Sequence, residues 1–396
     1  MSPSVTPTRA GVAATTVTIA SVIPVFLVGG LSVQISDDLG FTATGLGAAV
    51  AANFAVSALV STPSGRLVER YGAAVVSRVA VLLSAGAMLG IAAIAWNYWS
   101  LVALLAVGAT ANSAGQLSSN LLLSRHIPRR RQGLLFGLKQ AAIPASTLFA
   151  GVSVPLIALT VGWRWAFALA GTLALLALLP LRDLGTAEVP RSRRREEQGR
   201  PTPALLVIGL AAACAASAAS NLSPFLADTA VSHGLSPAAA GLTLTLGSGA
   251  GLCARVGFGW LTDRRGGDGM ALIATMLVVG AGGLALLSAT SLWTLPLGAV
   301  AGFGLGWAWP GILNFAVSHT HPQAPAAATG VTQTGVYLGG MLGPLTFGWV
   351  ADGHGYAPAW LMSAGVMLAA AMLMLLGRRL LRAAVAGRVE APVRGG

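Results

Sequence analysis

Lys139 and Arg255 both lie inside long hydrophobic stretches of a chain that carries few charges. Burying an unpaired charge in hydrocarbon is costly, so an ionisable residue in such a stretch is a functional hypothesis by default. Two cations facing one cavity without a carboxylate invite an anion. A guanidinium can donate two parallel hydrogen bonds to a carboxylate, and an ammonium acts as a point charge. The competing expectation is that each side chain snorkels to the nearer surface. Asn112, Gln116 and Asn120 recur at four-residue steps, which puts them on one face of a helix. Gln333 and Tyr337 are four apart in the same way, and Gln140 follows Lys139. The expected substrate-binding set is Arg255, Lys139, Gln140, Asn112, Gln116, Gln333 and Tyr337. Trp307 and Trp309 could wall a cavity, with packing as their simpler task.

A second constellation occurs twice. Gly65 to Gly72 reads GRLVERYG and Gly259 to Gly266 reads GWLTDRRG: a glycine, an acid four residues on, an arginine, then a glycine. The glycines permit a tight turn and close helix approach. The acid and arginine can bridge to neighbouring helix ends, where a carboxylate is favoured at an N-terminus.

The elements that must carry these residues follow from composition. The 396 residues are 55% hydrophobic and 9% charged, against about 25% charged in an ordinary soluble domain. A bilayer-spanning helix needs about 20 mostly apolar residues. Runs bounded by charge, glycine and proline place helices near 12–34, 43–64, 73–95, 99–123, 133–160, 164–181, 204–228, 236–260, 269–289, 292–316, 326–350 and 358–377. The first run is longer than a signal-peptide core and is expected to remain as a helix. Of the 24 basic residues, 21 fall in or beside the loops and termini of one side. By the positive-inside rule both termini are expected in the cytoplasm, with an even number of spans.

The net charge of +12 could suggest a nucleic-acid partner, but the basic residues lie between apolar runs rather than on a folded polar face. No nucleic acid is expected. Arginine supplies every basic side chain except Lys139, a bias read as a GC-rich bacterial genome. Cys214 and Cys253 fall in apolar runs as packing groups, so no disulfide is expected. The five histidines lie in loops or at helix ends, and no phosphate-binding loop is present. No metal, cofactor or enzymatic activity is expected.

Sliding the chain along itself by 194 residues brings Gly65, Glu69, Arg70 and Gly72 onto Gly259, Asp263, Arg264 and Gly266. The same shift brings Gly40 onto Gly234, Trp99 onto Trp293, Gly108 onto Gly302 and Asn120 onto Asn314, while a shift of 193 aligns Gly137 and Gln140 with Gly330 and Gln333. The partner of Asn120 suggests a structural role for it. Neither Lys139 nor Arg255 has a charged partner, so the shared scaffold does not demand their charges. The expected fold is an all-α membrane protein of about twelve transmembrane helices in two six-helix repeats around a central cavity. Residues 1–181 and 204–377 form the bundles, 182–203 a cytoplasmic linker and 378–396 a basic cytoplasmic tail.

The two hairpins resemble the signature loop of the major facilitator superfamily, and the resemblance runs along nearly the whole chain. It implies a latch for one conformational state, with gating roles for Gly65, Glu69, Arg70, Gly72, Gly259, Asp263, Arg264 and Gly266. Glu69 stands where aspartate is usual and Ala73-Ala74 where a basic pair often follows, so the first latch is expected to be the weaker. The spacing of Arg255, Gly259 and Asp263 is similar to that in oxalate/formate antiporters and monocarboxylate transporters. GLKQAAIP, Gly137 to Pro144, with Gly162-Trp163-Arg164, resembles cyanate-permease-like members. The expected function is secondary transport of a small anionic solute by alternating access across a bacterial cytoplasmic membrane. The expected partners are the bilayer, the solute, and protons or a counter-anion, and the family resemblance implies a monomer. The alternative is proton-coupled efflux of drugs or amphipathic metabolites.

Overall fold

A chain this poor in charge cannot rely on water for its backbone, and helices satisfy N–H and C=O groups within the segment. The computed structural model describes residues 7–126, 132–182, 184, 202–265, 269–291, 293–320 and 325–389, and every regular element among them is helical. The first part comprises α1 (Pro7–Gly30), α2 (Ser32–Leu39), α3 (Ala43–Tyr71), α4 (Ala73–Ile94), α5 (Tyr98–His126), α6 (Gln132–Gln140), α7 (Ala142–Ser153) and α8 (Trp163–Ala174). The second comprises α9 (Pro203–Ala219), α10 (Leu222–Ser232), α11 (Pro237–Arg265), α12 (Gly269–Leu286), α13 (Thr294–Ala301), α14 (Pro310–Thr320), α15 (Pro325–His354) and α16 (Tyr356–Val389).

Among the described residues nine helical stretches are long and apolar enough to cross a membrane, and Trp163–Leu178 is apolar but shorter. The expected spans 236–260 and 326–350 fall on α11 and α15, of 29 and 30 residues. Their lower apolarity has a packing reason. Gly241 and Thr245 of α11 meet Gly151 of α7, and Gly335, Gly339 and Gly343 of α15 lie against the backbone of Gly209, Ala213 and Ser217 on α9. Small residues let helix backbones approach in a membrane, where dispersion contacts replace the hydrophobic effect.

Three membrane helices are interrupted where a proline removes the N–H that an upstream carbonyl needs. Pro144 leaves the Gln140 carbonyl without its helical donor, and α6 gives way to α7 at Ala141. Pro224 does the same to Ser220 at the junction of α9 and α10. Pro310 does so to Gly306, at the end of a π-helical turn over Gly302–Gly306, and residues 307–309 are non-helical before α14 begins. Pro344, by contrast, sits inside the unbroken α15. Gly40 and Gly234, 194 residues apart, both take left-handed backbone, as do Gly162 and Gly355, 193 apart. These are the two shifts found in the sequence.

The face opposite the 65–72 hairpin is tightly closed. A side chain on Gly47 of α3 would strike the Pro344 carbonyl of α15, one on Gly348 would strike the Ala43 carbonyl, and Gly29 of α1 lies against Pro224 of α10. Thr42, the N-cap of α3, makes no side-chain capping bond. Asp352 from the end of α15 supplies it instead, accepting from the backbone N–H groups of Ala43 at 3.1 Å and Thr44 at 2.8 Å. On the same face Asp38 accepts from Arg164 at 2.7 Å and from the Trp163 indole at 3.1 Å, while Arg164 donates to the Ala95 carbonyl at 3.0 Å. The Gly162-Trp163-Arg164 segment thus ties loop ends together. The bond from Arg164 holds the Asp38 carboxyl below its ordinary range.

Partial burial pushes the Asp352 carboxyl up, but bonds from Thr44, Thr42 and the Ala43 and Thr44 backbone outweigh it and hold the group below its ordinary value of 3.8. A carboxylate depressed in this way contributes stability above its unfolded pKa and loses it as pH falls through the folded value. Asp352→Asn should lower stability at neutral pH by about 1 kcal/mol, as for loss of a helix cap. The difference from wild type should shrink as pH falls below about 3.8 and vanish only below the lower value that the folded protein imposes. Thermal unfolding against pH checks this, and a difference that persists at low pH would show that Asp352 does not act as a charge.

Candidate functional site

Arg255, on the inner part of α11, is 3% exposed, and no carboxylate contacts it among the described residues. Its guanidinium donates one N–H to the Gln140 carbonyl and another to the Trp307 carbonyl, each at 2.6 Å. Both acceptors stand at helix breaks, Gln140 being the carbonyl released by Pro144. The arginine therefore joins α6 of the first part to the break between α13 and α14 of the second. The Arg255 Cζ atom also lies 5.7 Å from the centroid of the Trp307 ring, within cation–π range. Gly137 and Gly259 make this geometry possible. A side chain on Gly137 would press against the Arg255 carbonyl and the Gly259 backbone, so α6 and α11 can cross closely only with glycine there.

Lys139 is 1% exposed and turns toward α5. Its ammonium donates to the Gln116 side-chain oxygen at 2.8 Å, to the Gln116 carbonyl at 3.3 Å and to the Asn120 side-chain oxygen. Neither buried cation snorkels. They do not share one set of partners: Arg255 bridges two helix breaks, and Lys139 is held on the α5 face that carries Gln116 and Asn120. Asn120, expected to be structural, belongs to this polar cluster and is itself exposed.

The remaining expected residues divide. Asn112 donates to Ser57 at 3.3 Å, which ties α5 to α3, and its side-chain oxygen has no partner. The Tyr337 hydroxyl meets Gln333 on α15, and neither residue lines the two cavities described below. In the first hairpin Glu69 and Arg70 are exposed, with Arg70 over the Tyr71 ring at 5.3 Å. Gly65 has open space around it, and Gly72 takes φ +85°, the left-handed turn between α3 and α4. Arg264 stacks over Trp260 at 4.2 Å. Gly266 and the side chain of Asp263 lie outside the described residues. Arg78, displaced from the usual basic pair, donates to the Leu181 carbonyl at 2.7 Å.

Two cavities flank the α13–α14 break. One, of about 10 Å³, room for about one water, is lined by Gly137, Gln140, Arg255, Gly259, Thr262 and Ala308 with part of α14. The other, also of about 10 Å³, is bounded by Val25 and Phe26 of α1, Val50 and Phe54 of α3, Ser220, Ser223 and Pro224 at the α9–α10 break, and Trp307. Trp307 was singled out in the sequence as a cavity wall, whereas Phe26, Phe54 and the serines were not. The available signal was the proline four residues after Ser220, which marks a broken helix. Irregular backbone within a membrane is tolerated where it is buried in protein or lines a cavity, and broken helices often build transporter sites.

A sequence profile of the Major Facilitator Superfamily matches residues 12–209 and 208–393. A chloramphenicol resistance protein of Streptomyces lividans is 28% identical over 364 residues, spanning 88% of this chain and 91% of that protein. A bacterial homologue of the human lysosomal transporter Spinster, solved in an inward-facing and occupied conformation, superposes with a TM-score of 0.71 at 16% identity, over 94% of this chain and 97% of that one. The same homologue, inward-facing and unoccupied, gives 0.67 at 15% identity, over 95% and 96%.

Lys139→Met should put a methyl group at the buried end of the cluster and remove the donor that the Gln116 and Asn120 oxygens share. The expected loss of stability is about 1–3 kcal/mol, and adding Gln116→Leu should recover part of it. Thermal unfolding in detergent measures both, and an unchanged melting temperature in the single variant would show that the ammonium is not held there.

Proposed function

This chain belongs to the major facilitator superfamily, and from that premise we propose that it is a secondary transporter moving a small anionic solute by alternating access. A member of this family is a multi-pass membrane transporter and not an enzyme. The observation that carries the anion reading is the guanidinium of Arg255, buried and held by two neutral carbonyls. A buried charge is stable only when its charge and its hydrogen bonds are answered. Here the hydrogen bonds are answered in part, and the charge still lacks an opposite partner among the described residues. A solute carboxylate can take two parallel N–H bonds from such a group. Because Gln140 and Trp307 belong to different parts of the chain, an anion that displaces a carbonyl also loosens a link between those parts. Lys139 adds positive potential from the α5 side.

In this reading the chain forms two six-helix bundles, 1–181 and 204–377, with both termini in the cytoplasm of a bacterium and the linker and basic tail on that side. The two matched segments of the family profile meet near residue 208, which is in keeping with the division. The described contacts close the face opposite the hairpins, and the first hairpin's Glu69 and Arg70 are exposed, with no bond to another helix among the described residues. The substrate's own proton or a counter-anion supplies the coupling.

A second reading is export of an amphipathic compound. It is favoured by the cavity walled by Phe26, Phe54 and Trp307 and by the similarity to the protein named for chloramphenicol resistance.

The test is ligand-dependent thermal stabilisation and proteoliposome uptake across small carboxylates, cyanate, nitrate and amphipathic cations, in wild type, Arg255→Gln and Lys139→Gln. Anions should stabilise the wild type, and each variant should bind them at least about tenfold more weakly, the loss expected for a charge-assisted bond. Equal responses in wild type and variants, or stabilisation by amphipathic cations alone, would discard the anion in favour of export.

A further inference from the structure

Asp228 of α10 lies within the apolar stretch Pro203–Ser232, and the anion site on Arg255 gives it no task. An acid in such a segment calls for an explanation, because a charge removed from water must be answered. α10 belongs to the second part of the chain and is fastened there before and after Asp228. Phe225 stacks on Phe347 of α15 with ring centroids 4.4 Å apart, and Thr229 accepts from the Trp360 indole of α16 at 2.9 Å. The partly buried carboxyl nevertheless faces the first part, where it meets Ser32 at the start of α2. One turn earlier, Pro224 packs on Gly29 of α1. Asp228 and Ser32 thus meet across the closed face opposite the hairpins, and opening of that face would part them.

The surroundings do not answer a negative charge. The Ser32 hydroxyl is 0% exposed and has no other partner. Among the described residues no cation contacts Asp228, and its charged neighbours are of its own sign: Asp37 of α2 and, beyond Tyr356 of α16, Asp352. Asp38 of α2 is already engaged by Arg164. The charged residues of α1, α3 and α11 lie in the halves of those helices nearer the hairpins, and α13 carries none. A carboxylate beside Asp37 with one hydroxyl to pair with is costly to enclose. The protonated acid donates its O–H to Ser32 and has no charge to desolvate. We propose that Asp228 is a proton-binding site, filled when the face opposite the hairpins closes, so that acid on that side holds the face shut and alkali favours its opening. The proposal adds a regulation to the transport reading: it rests on alternating access and is independent of which solute Arg255 takes.

The experiment is distance measurement by pulsed electron spin resonance on the full-length protein in nanodiscs and sodium-free buffer. Spin labels go on Thr160→Cys and Thr290→Cys, exposed positions on that face in the first and second parts, with Cys214→Ser and Cys253→Ser removing the native thiols. From about pH 8 to about pH 5 the population of long distances should fall about tenfold, which needs only a tenfold difference in proton affinity between the open and closed forms. Asp228→Asn, which cannot ionise, should stay closed at both pH values, and Asp228→Glu should respond to pH again. Ser32→Ala, which removes the acceptor for the bound proton, should make closure by acid about fivefold weaker. Replacing the two histidines of this face, by His233→Gln with His354→Gln, should leave the response intact.

Equal distances at the two pH values, or a pH response that survives in Asp228→Asn, would overturn the proton site. If sodium ions close the face and acid does not, the site takes a metal cation and the proposal fails. Distances that ignore pH but shift on addition of formate overturn the proton site and leave the transport reading standing. A pH response that persists in Arg255→Gln, with formate without effect even on the wild type, supports the proton site and removes the anion instead.

Discussion

The two hydrogen bonds of the Arg255 guanidinium set the terms for the surrounding structure. A charge removed from water must find acceptors within the protein, and in a regular helix each carbonyl is already engaged by one N–H and has only its second lone pair to offer. The chain meets this need by breaking helices. Pro144 releases the Gln140 carbonyl, and the interruption before Pro310 turns the Trp307 carbonyl toward the arginine. Close crossing of α6 and α11 follows from the same need, since Gly137 and Gly259 are what bring the Gln140 carbonyl within reach. Proline, glycine and arginine thus form one device, distributed over three segments far apart in sequence.

This device sits between two differently built ends. On the face opposite the hairpins, glycines of α3, α7, α11 and α15 lie against neighbouring backbone, and Asp352 caps α3 across the interface. Such contacts are short-range and parted by small movements, whereas the helices that carry them are continuous and stiff. On the hairpin side, Glu69 and Arg70 are exposed and Arg264 rests on Trp260. A rocking motion of one bundle against the other would exchange which end is held. Arg255, linked to both parts near the pivot, is where a bound anion could act on that exchange.

The broken helices also explain why the two cavities lie where they do. Each is bounded by at least one interruption, at Ala141, at Ser220–Asn221 or at residues 307–309. Interruptions supply backbone polar groups and room together, because a helix that stops leaves both carbonyls and space behind it. Trp307 closes one interruption: its carbonyl accepts from Arg255, which lines the first cavity, and the residue itself lines the second.

Much of this was legible in the residues themselves. The apolar runs, the repeated hairpin and the isolation of Lys139 and Arg255 in hydrophobic segments are local properties, and helix formation in lipid depends on little else. The four-residue spacing of Gln116 and Asn120 put them on one face, which is the face Lys139 uses. What the sequence could not decide was partnership across distance. That Lys139 belongs to α5 while Arg255 joins Gln140 to Trp307, that Asp352 caps a helix 309 residues earlier in the chain, and that Phe26, Phe54, Ser223 and Trp307 meet around one space depend on how helices rotate and cross. Those angles are fixed by the fit of glycine stripes against backbone, summed over many weak contacts. The sequence therefore determined which helices form and which charges they bury, and the tertiary structure decided which of those charges are answered and by what.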